Sequence, residues 1–178
     1  MGLLGACAVN GHRAGGGGFV PYLQARSVID IGGQDSSISS LSPPGGTACG
    51  SRTFGQLHVR VRHGHFLDQQ ATRLGLDIET DFGEASLRSR APARIAGRYS
   101  VFAKSDMIHL QQKGTPVEDI VAGLCHALAR SFKANVVGVK ALELPVALVG
   151  GVAANAGVVK ALRSVLHLEE DGLFVPED

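Results

Sequence analysis

Val28-Ile-Asp-Ile-Gly-Gly-Gln-Asp-Ser36 is an apolar run that carries one acid, Asp30, into a predicted strand and then breaks at Gly32-Gly33. Burying a carboxylate is costly unless it is paired or faces a cation. The diglycine permits a tight turn that side chains would obstruct, and it lets main-chain N–H groups approach an anion such as phosphate. Gln34, Asp35 and Ser36 follow as polar groups at the turn's exit. Two readings fit these residues. One is an ordinary hairpin in which Asp30 caps a neighbour; the other is the phosphate and Mg²⁺ corner of a nucleotide site.

The same punctuation recurs far downstream. An apolar strand at 145–149 runs into Gly150-Gly151-Val-Ala-Ala-Asn155, and a helix is predicted over 156–166. Strand, diglycine, helix is the layout of a nucleotide-facing turn, because the glycines admit a ligand and the helix N-terminus adds partial positive charge. A last strand is predicted at 173–175.

Between the two turns the pattern is mostly helical. Residues 37–41 pair with the first strand, Pro43-Pro44-Gly45-Gly46 is a turn, and 57–61 alternates loosely as a strand. A helical region begins at 66–74 and continues through 78–87, until Pro92 interrupts it. Val101-Phe102-Ala103 reads as extended or as the lead-in to a helix over 105–112, which Gly114 ends. Thr115 is the expected cap of the next helix, with Pro116 in its first turn and Glu118 completing a capping box. Val117, Ile120, Val121, Leu124, Leu128 and Phe132 then form a buried stripe. Cys125 and His126 lie within that helix and read as packing.

With 178 residues, 44% of them hydrophobic and 19% charged, the chain can bury one sizeable core. A net charge of +1 gives no electrostatic case for nucleic acid or an anionic membrane. No apolar run approaches the roughly 20 residues of a spanning helix. The first residues lack the basic flank of a signal peptide. Cys7, Cys49 and Cys125 include no close pair, which points to a reducing, cytoplasmic setting. Residues 1–25 are irregular and Gly-rich. Residues 49–65 are basic and patternless, and no aromatics interleave with Arg60, Arg62 and His63 as in a nucleic-acid patch.

Four segments, 28–36, 97–109, 111–124 and 146–162, together resemble the ATP-dependent activators of 2-hydroxyacyl-CoA dehydratases, a family that includes the ATPase subunits of benzoyl-CoA reductase. Ser100-Val-Phe-Ala-Lys-Ser-Asp-Met-Ile-His109 and Gly150-Gly-Val-Ala-Ala-Asn155 are the most specific pieces, and the similarity is to the activase-like region of CoA-substrate-specific enzyme activases. The resemblance implies an α/β fold of the actin, Hsp70 and sugar-kinase class. In it, Asp30, Gly32, Gly33 and Gln34 belong to the second phosphate motif, with Asp30 organising Mg²⁺. Gly150, Gly151 and Asn155 match the turn that contacts adenosine, and Asp106 is assigned to the lobe interface or, equally, to a helix cap or surface ion pair. It also implies ATP, a homodimer sharing one [4Fe-4S] cluster, and electron delivery to a dehydratase or related reductase.

The chain departs from that pattern in three places. No strand with a Gly/Ser/Thr first phosphate motif precedes Val28, so 26–178 reads as a partial ATPase domain, incomplete at its N-terminal lobe. The cluster cysteine expected before Ser100 is Tyr99, and a phenol is not the soft thiolate a cluster needs. A Cys-Ala-(Ala/Ser)-Gly-Thr-Gly loop expected before Phe66-Leu67-Asp68 is replaced by Val59-Arg-Val-Arg-His-Gly-His65. Writing 59–64 as GTG CGC GTC CGG CAC GGG and shifting one base restores Cys-Ala-Ser-Gly-Thr with Gly next. The expectation is therefore that 49–65 is an out-of-frame window and that the cluster is lost. Besides an impaired activator, two other functions fit: a non-catalytic dimerisation or docking fragment, and a sugar or acyl kinase of the same fold, for which no catalytic base or sugar segment is evident.

Overall fold

The computed structural model describes residues 25–33, 35–40, 63–78, 80–96, 100–138 and 141–176. The expected strand at 57–61, the segment 1–24, Gln34 and Tyr99 lie outside them.

Four strands, β1 (Ser27–Ile31), β2 (Ser36–Ser40), β3 (Val146–Val149) and β4 (Leu173–Phe174), form one sheet in the order β2-β1-β3-β4. β2 is antiparallel to β1, while β3 runs parallel to β1 and β4 parallel to β3. Alternation along β1 divides its side chains between two faces. Ile29 and Ile31 join Ile38, Val146, Leu148 and Leu173 in the main core beneath the helices. Val28 packs with Ala25 and Ala147 on the other face, beside Val149 and Phe174. Asp30 shares that second face, opposite Val149 in the parallel register.

Five helices follow: α1 (His63–Leu74), α2 (Asp81–Arg88), α3 (Ser100–Gln112), α4 (Val117–Phe132) and α5 (Ala156–Leu166). α4 is their centre and packs against the other four. Its Ile120, Val121, Leu124, Leu128 and Phe132 are buried as their spacing requires, while Val117 is 40% exposed. Cys125 is fully buried, and desolvation pushes its thiol up to about 12.

Four local expectations change. The helical run expected through 66–87 is two helices, because Gly75 adopts φ +68°. Leu76 N–H then bonds Ala71 C=O at 3.0 Å and Gly75 N–H bonds Thr72 C=O at 3.2 Å, which closes α1. α1 also starts at His63, inside the patternless window. Val101-Phe102-Ala103 belongs to α3. Thr115 does not cap α4: its N–H closes α3 onto Leu110 C=O at 3.0 Å, and Pro116 is the N-cap. Glu118 completes no capping box there, since a proline cap has no N–H to offer it. A π-helical turn, Lys133–Val137, extends α4 without a sequence signal.

α5 ends on His167 at φ 57°, a left-handed conformation that suits glycine. Replacing His167 with Gly removes this strain, and the urea midpoint should rise by the equivalent of about 1 kcal/mol. An unchanged or lower midpoint would refute the strain.

A strap at 89–96 lies along α4. Asp119 anchors its start by accepting from Ser89 Oγ at 2.6 Å and Ala91 N–H at 3.1 Å. Arg130 Nη2 donates to Ile95 C=O at 2.7 Å, and Ala96 N–H donates to Asp106 Oδ2 at 2.8 Å. The Ser89 hydroxyl, followed by the Ala91 N–H, holds the Asp119 carboxyl below its ordinary value of 3.8. A depressed folded-state pKa stabilises above the unfolded value and is lost as pH falls through the folded one. Asp119→Asn should therefore flatten the acid limb of stability below about pH 4 and leave its shape near neutrality unchanged. Acid unfolding curves of unchanged shape would contradict this anchor.

Candidate nucleotide-facing turns

β1 and β3 are adjacent and parallel, with Asp30 opposite Val149, so both diglycine turns leave the same edge of the sheet. The tertiary structure thus brings together two turns that are far apart in the chain. Gly150 sits at φ +90°, and a Cβ there would lie 2.5 Å from Ile31 O and 2.7 Å from Asp30 Oδ1. The partly buried Asp30 carboxylate therefore stands directly against the second turn.

The first turn joins β1 to the antiparallel β2, with Gly32 N–H donating to Asp35 C=O at 2.9 Å. It is also braced by α1, whose His65 N–H approaches Gly33 C=O at 3.4 Å. Gly64 makes that approach possible, because its Cβ would fall 2.9 Å from Gly33 Cα. A Cβ at either Gly33 or Gly151 would meet nothing within 4 Å. In the second turn Gly150 is thus locked against its neighbours while Gly151 faces open space; in the first, a Cβ on Gly32 would meet Asp35 O only at an ordinary 3.4 Å.

Asn155 follows the second turn after a 3-10 segment, Gly151–Ala154, and caps α5 by accepting from Val158 N–H at 3.2 Å. Its Nδ2, in a residue 9% exposed, is the one buried side-chain polar atom without a partner among the described residues. Such a donor is costly to leave unmet. Gly83 and Gly157 pack beside the Asn155 side chain: a Cβ on Gly83 would lie 3.4 Å from Oδ1, and one on Gly157 would lie 3.2 Å from it and 2.5 Å from Ser86 Cβ. Gly64, Gly83 and Gly157 were missed as site-forming residues. The available signal was a lone glycine inside a helix, which costs stability and so calls for a packing reason. Asp106 makes neither a helix cap nor an ion pair among the described residues; it holds the strap through Ala96 N–H.

Paired glycine turns and an acid stand at the ends of adjacent parallel strands, and the fold is of the actin, Hsp70 and sugar-kinase class. Residues 14–173 match the family model described as the BadF/BadG/BcrA/BcrD ATPase family, and the chain belongs to that family. It is 30% identical over 173 residues to the 2-hydroxyisocaproyl-CoA dehydratase activator of Clostridioides difficile, covering 93% of this chain and 59% of that protein. It is 33% identical over 161 residues to the (R)-2-hydroxyglutaryl-CoA dehydratase activating ATPase of Acidaminococcus fermentans, covering 88% of this chain and 58% of that protein. The solved structure of the activator of the 2-hydroxyisocaproyl-CoA dehydratase from Clostridium difficile with bound ADPNP has a TM-score of 0.75 at 30% identity, covering 89% of this chain and 55% of that one. The chain thus spans less than two thirds of the length of these relatives. No helix among the described residues is long and apolar enough to cross a membrane.

Proposed function

We propose that this chain is the nucleotide-binding part of an ATP-dependent activator that serves a 2-hydroxyacyl-CoA dehydratase or a related CoA-ester reductase. The observation that carries the reading is the contact between Gly150 and the Asp30 carboxylate, which joins the two glycine turns into one edge. Gly32, Gly33 and Gln34 take the phosphates. Gly150, Gly151 and Asn155 take the adenosine side, where the unmet Asn155 Nδ2 offers a ready donor.

Asp30 is the residue that would hold Mg²⁺. One carboxylate is enough for an ion that completes its shell with phosphate oxygens and water, and that ion would neutralise phosphate charge. The sheet contributes rigidity: Asp30 is fixed between β2 and β3, so the carboxylate is held in place before nucleotide arrives.

Among the described residues, the cysteine present fits iron–sulfur ligation poorly. Cys125, the one cysteine among the described residues, is fully buried with a thiol pushed up to about 12, the opposite of a metal-binding thiolate. The proposed assembly is a homodimer, located in the cytoplasm, with cluster-dependent activation impaired.

Isothermal calorimetry of the full chain with ATP or ADPNP and Mg²⁺ tests the reading. Saturable binding that Asp30→Asn weakens in Mg²⁺ and leaves nearly unchanged in EDTA is expected. Neither heat nor a nucleotide-dependent rise in Tm would reject the nucleotide site.

A further inference from the structure

Beside the strap, on the flank of α4, lies a depression of about 260 Å³ lined by Pro92, Ala93, Arg94, His126 and Arg130. It is built from elements the nucleotide turns do not use. Arg130 is tethered through Nη2 to Ile95 C=O at 2.7 Å, and the strap brings Arg94 to the opposite wall. Ala93 N–H fastens the strap to Asp119 C=O at 2.8 Å. His126 lies one helical turn before Arg130, on the same face of α4.

The positive charges are gathered without local compensation. α4 carries acids only in its first turn, and α5 carries none. Asp119 is occupied by Ser89 and Ala91, and Asp106 by Ala96 N–H. The ion pair Arg88–Glu84 lies elsewhere, on α2. Burial chiefly, then the charges of Arg130 and of Lys160 on α5, hold His126 below its ordinary value. Arg130 is itself lowered, first by burial and then by Arg94. Arg94 and Arg130 therefore repel across the depression, and a bound anion would relieve the repulsion.

We propose that Arg94, His126 and Arg130 form a second anion site that takes the phosphoryl group of a small phosphomonoester. Two guanidinium forks and an imidazole present donors from both walls, which suits a tetrahedral dianion. A single carboxylate fills one fork and leaves the other unmet. The wall of Pro92 and Ala93 gives the ester's carbon part an apolar surface. Lys160 strengthens the field from α5 without lining the depression.

His126 itself reports occupancy, since a bound dianion favours the imidazolium. Its pKa is followed by NMR on the full chain with isotope-labelled histidine, alone and with inorganic phosphate, glycerol 3-phosphate or acetate. Glycerol 3-phosphate is expected to raise it by about 1 unit, more at a given concentration than inorganic phosphate does. Arg94→Gln, which removes no hydrogen bond seen among the described residues, should weaken the response at least about tenfold while the rest of the spectrum is retained. Arg130→Gln should abolish it. An equal effect of acetate would overturn the phosphoryl assignment in favour of a carboxylate-docking face. Inorganic phosphate acting as strongly as the ester would overturn the small-molecule part. No shift with any anion, or an unaltered response in Arg94→Gln, would overturn the site. Because the readout is His126, failure here leaves the nucleotide calorimetry untouched, and the converse holds.

Discussion

Replacing Gly150 with alanine should lower stability by about 2 kcal/mol or more and cut nucleotide affinity at least about tenfold. The added methyl has no room on either side. It would sit 2.5 Å from Ile31 O and 2.7 Å from Asp30 Oδ1, in a backbone at φ +90° that alanine resists. Relief requires β1 and β3 to part at the edge where the two turns meet. Gly151→Ala is the informative companion, because its methyl would meet no atom within 4 Å. Its stability should stay close to that of the parent, while its nucleotide affinity falls if the ligand needs that open space. Urea titration and calorimetry on both variants separate the outcomes. A Gly150→Ala protein that folds and binds like the parent would refute the shared edge.

Gly123→Ala should destabilise by about 2 kcal/mol. The sign is what makes this test sharp. In an ordinary helix, exchanging glycine for alanine stabilises by about 1 kcal/mol. Here Gly123 is buried within α4, its Cβ would run into Ala93 O, and Ile95 Cδ1 would lie 3.1 Å away. The nearest obstacle is a main-chain carbonyl, so no rotamer change clears it. The strap must lift, straining the Ala93–Asp119 and Arg130–Ile95 hydrogen bonds together. A raised urea midpoint for this variant would show that the strap is not seated on α4 as described.

Much of the framework was legible along the chain. The stretch 28–36 announced a strand, a tight turn and a returning strand, because apolar residues flank a diglycine. The stripe along α4 announced a central helix, since apolar residues at three- and four-residue spacing must share a face. Both diglycine turns were legible as tight turns at strand ends before their neighbours were known. Helix ends were less legible. Gly75 terminates α1 in the middle of a continuous apolar pattern, and Thr115, with the composition of a cap, closes the preceding helix instead. Such choices depend on which carbonyl an N–H reaches, and composition alone leaves several within range.

Sequence by itself determined the elements: the acid in β1, the glycines after β1 and β3, and the apolar faces that require a sheet covered by helices. It also carried the resemblance to the activator family. Tertiary structure alone decided that β1 and β3 lie side by side, because parallel pairing joins segments through a long crossover that no local pattern encodes. That pairing sets Gly150 against Asp30; the packing of α1 sets Gly64 against Gly33, and Asn155 Nδ2 has no partner among the described residues. The same holds for Arg94, His126 and Arg130, ordinary surface residues in the chain, which the strap across α4 gathers around one depression.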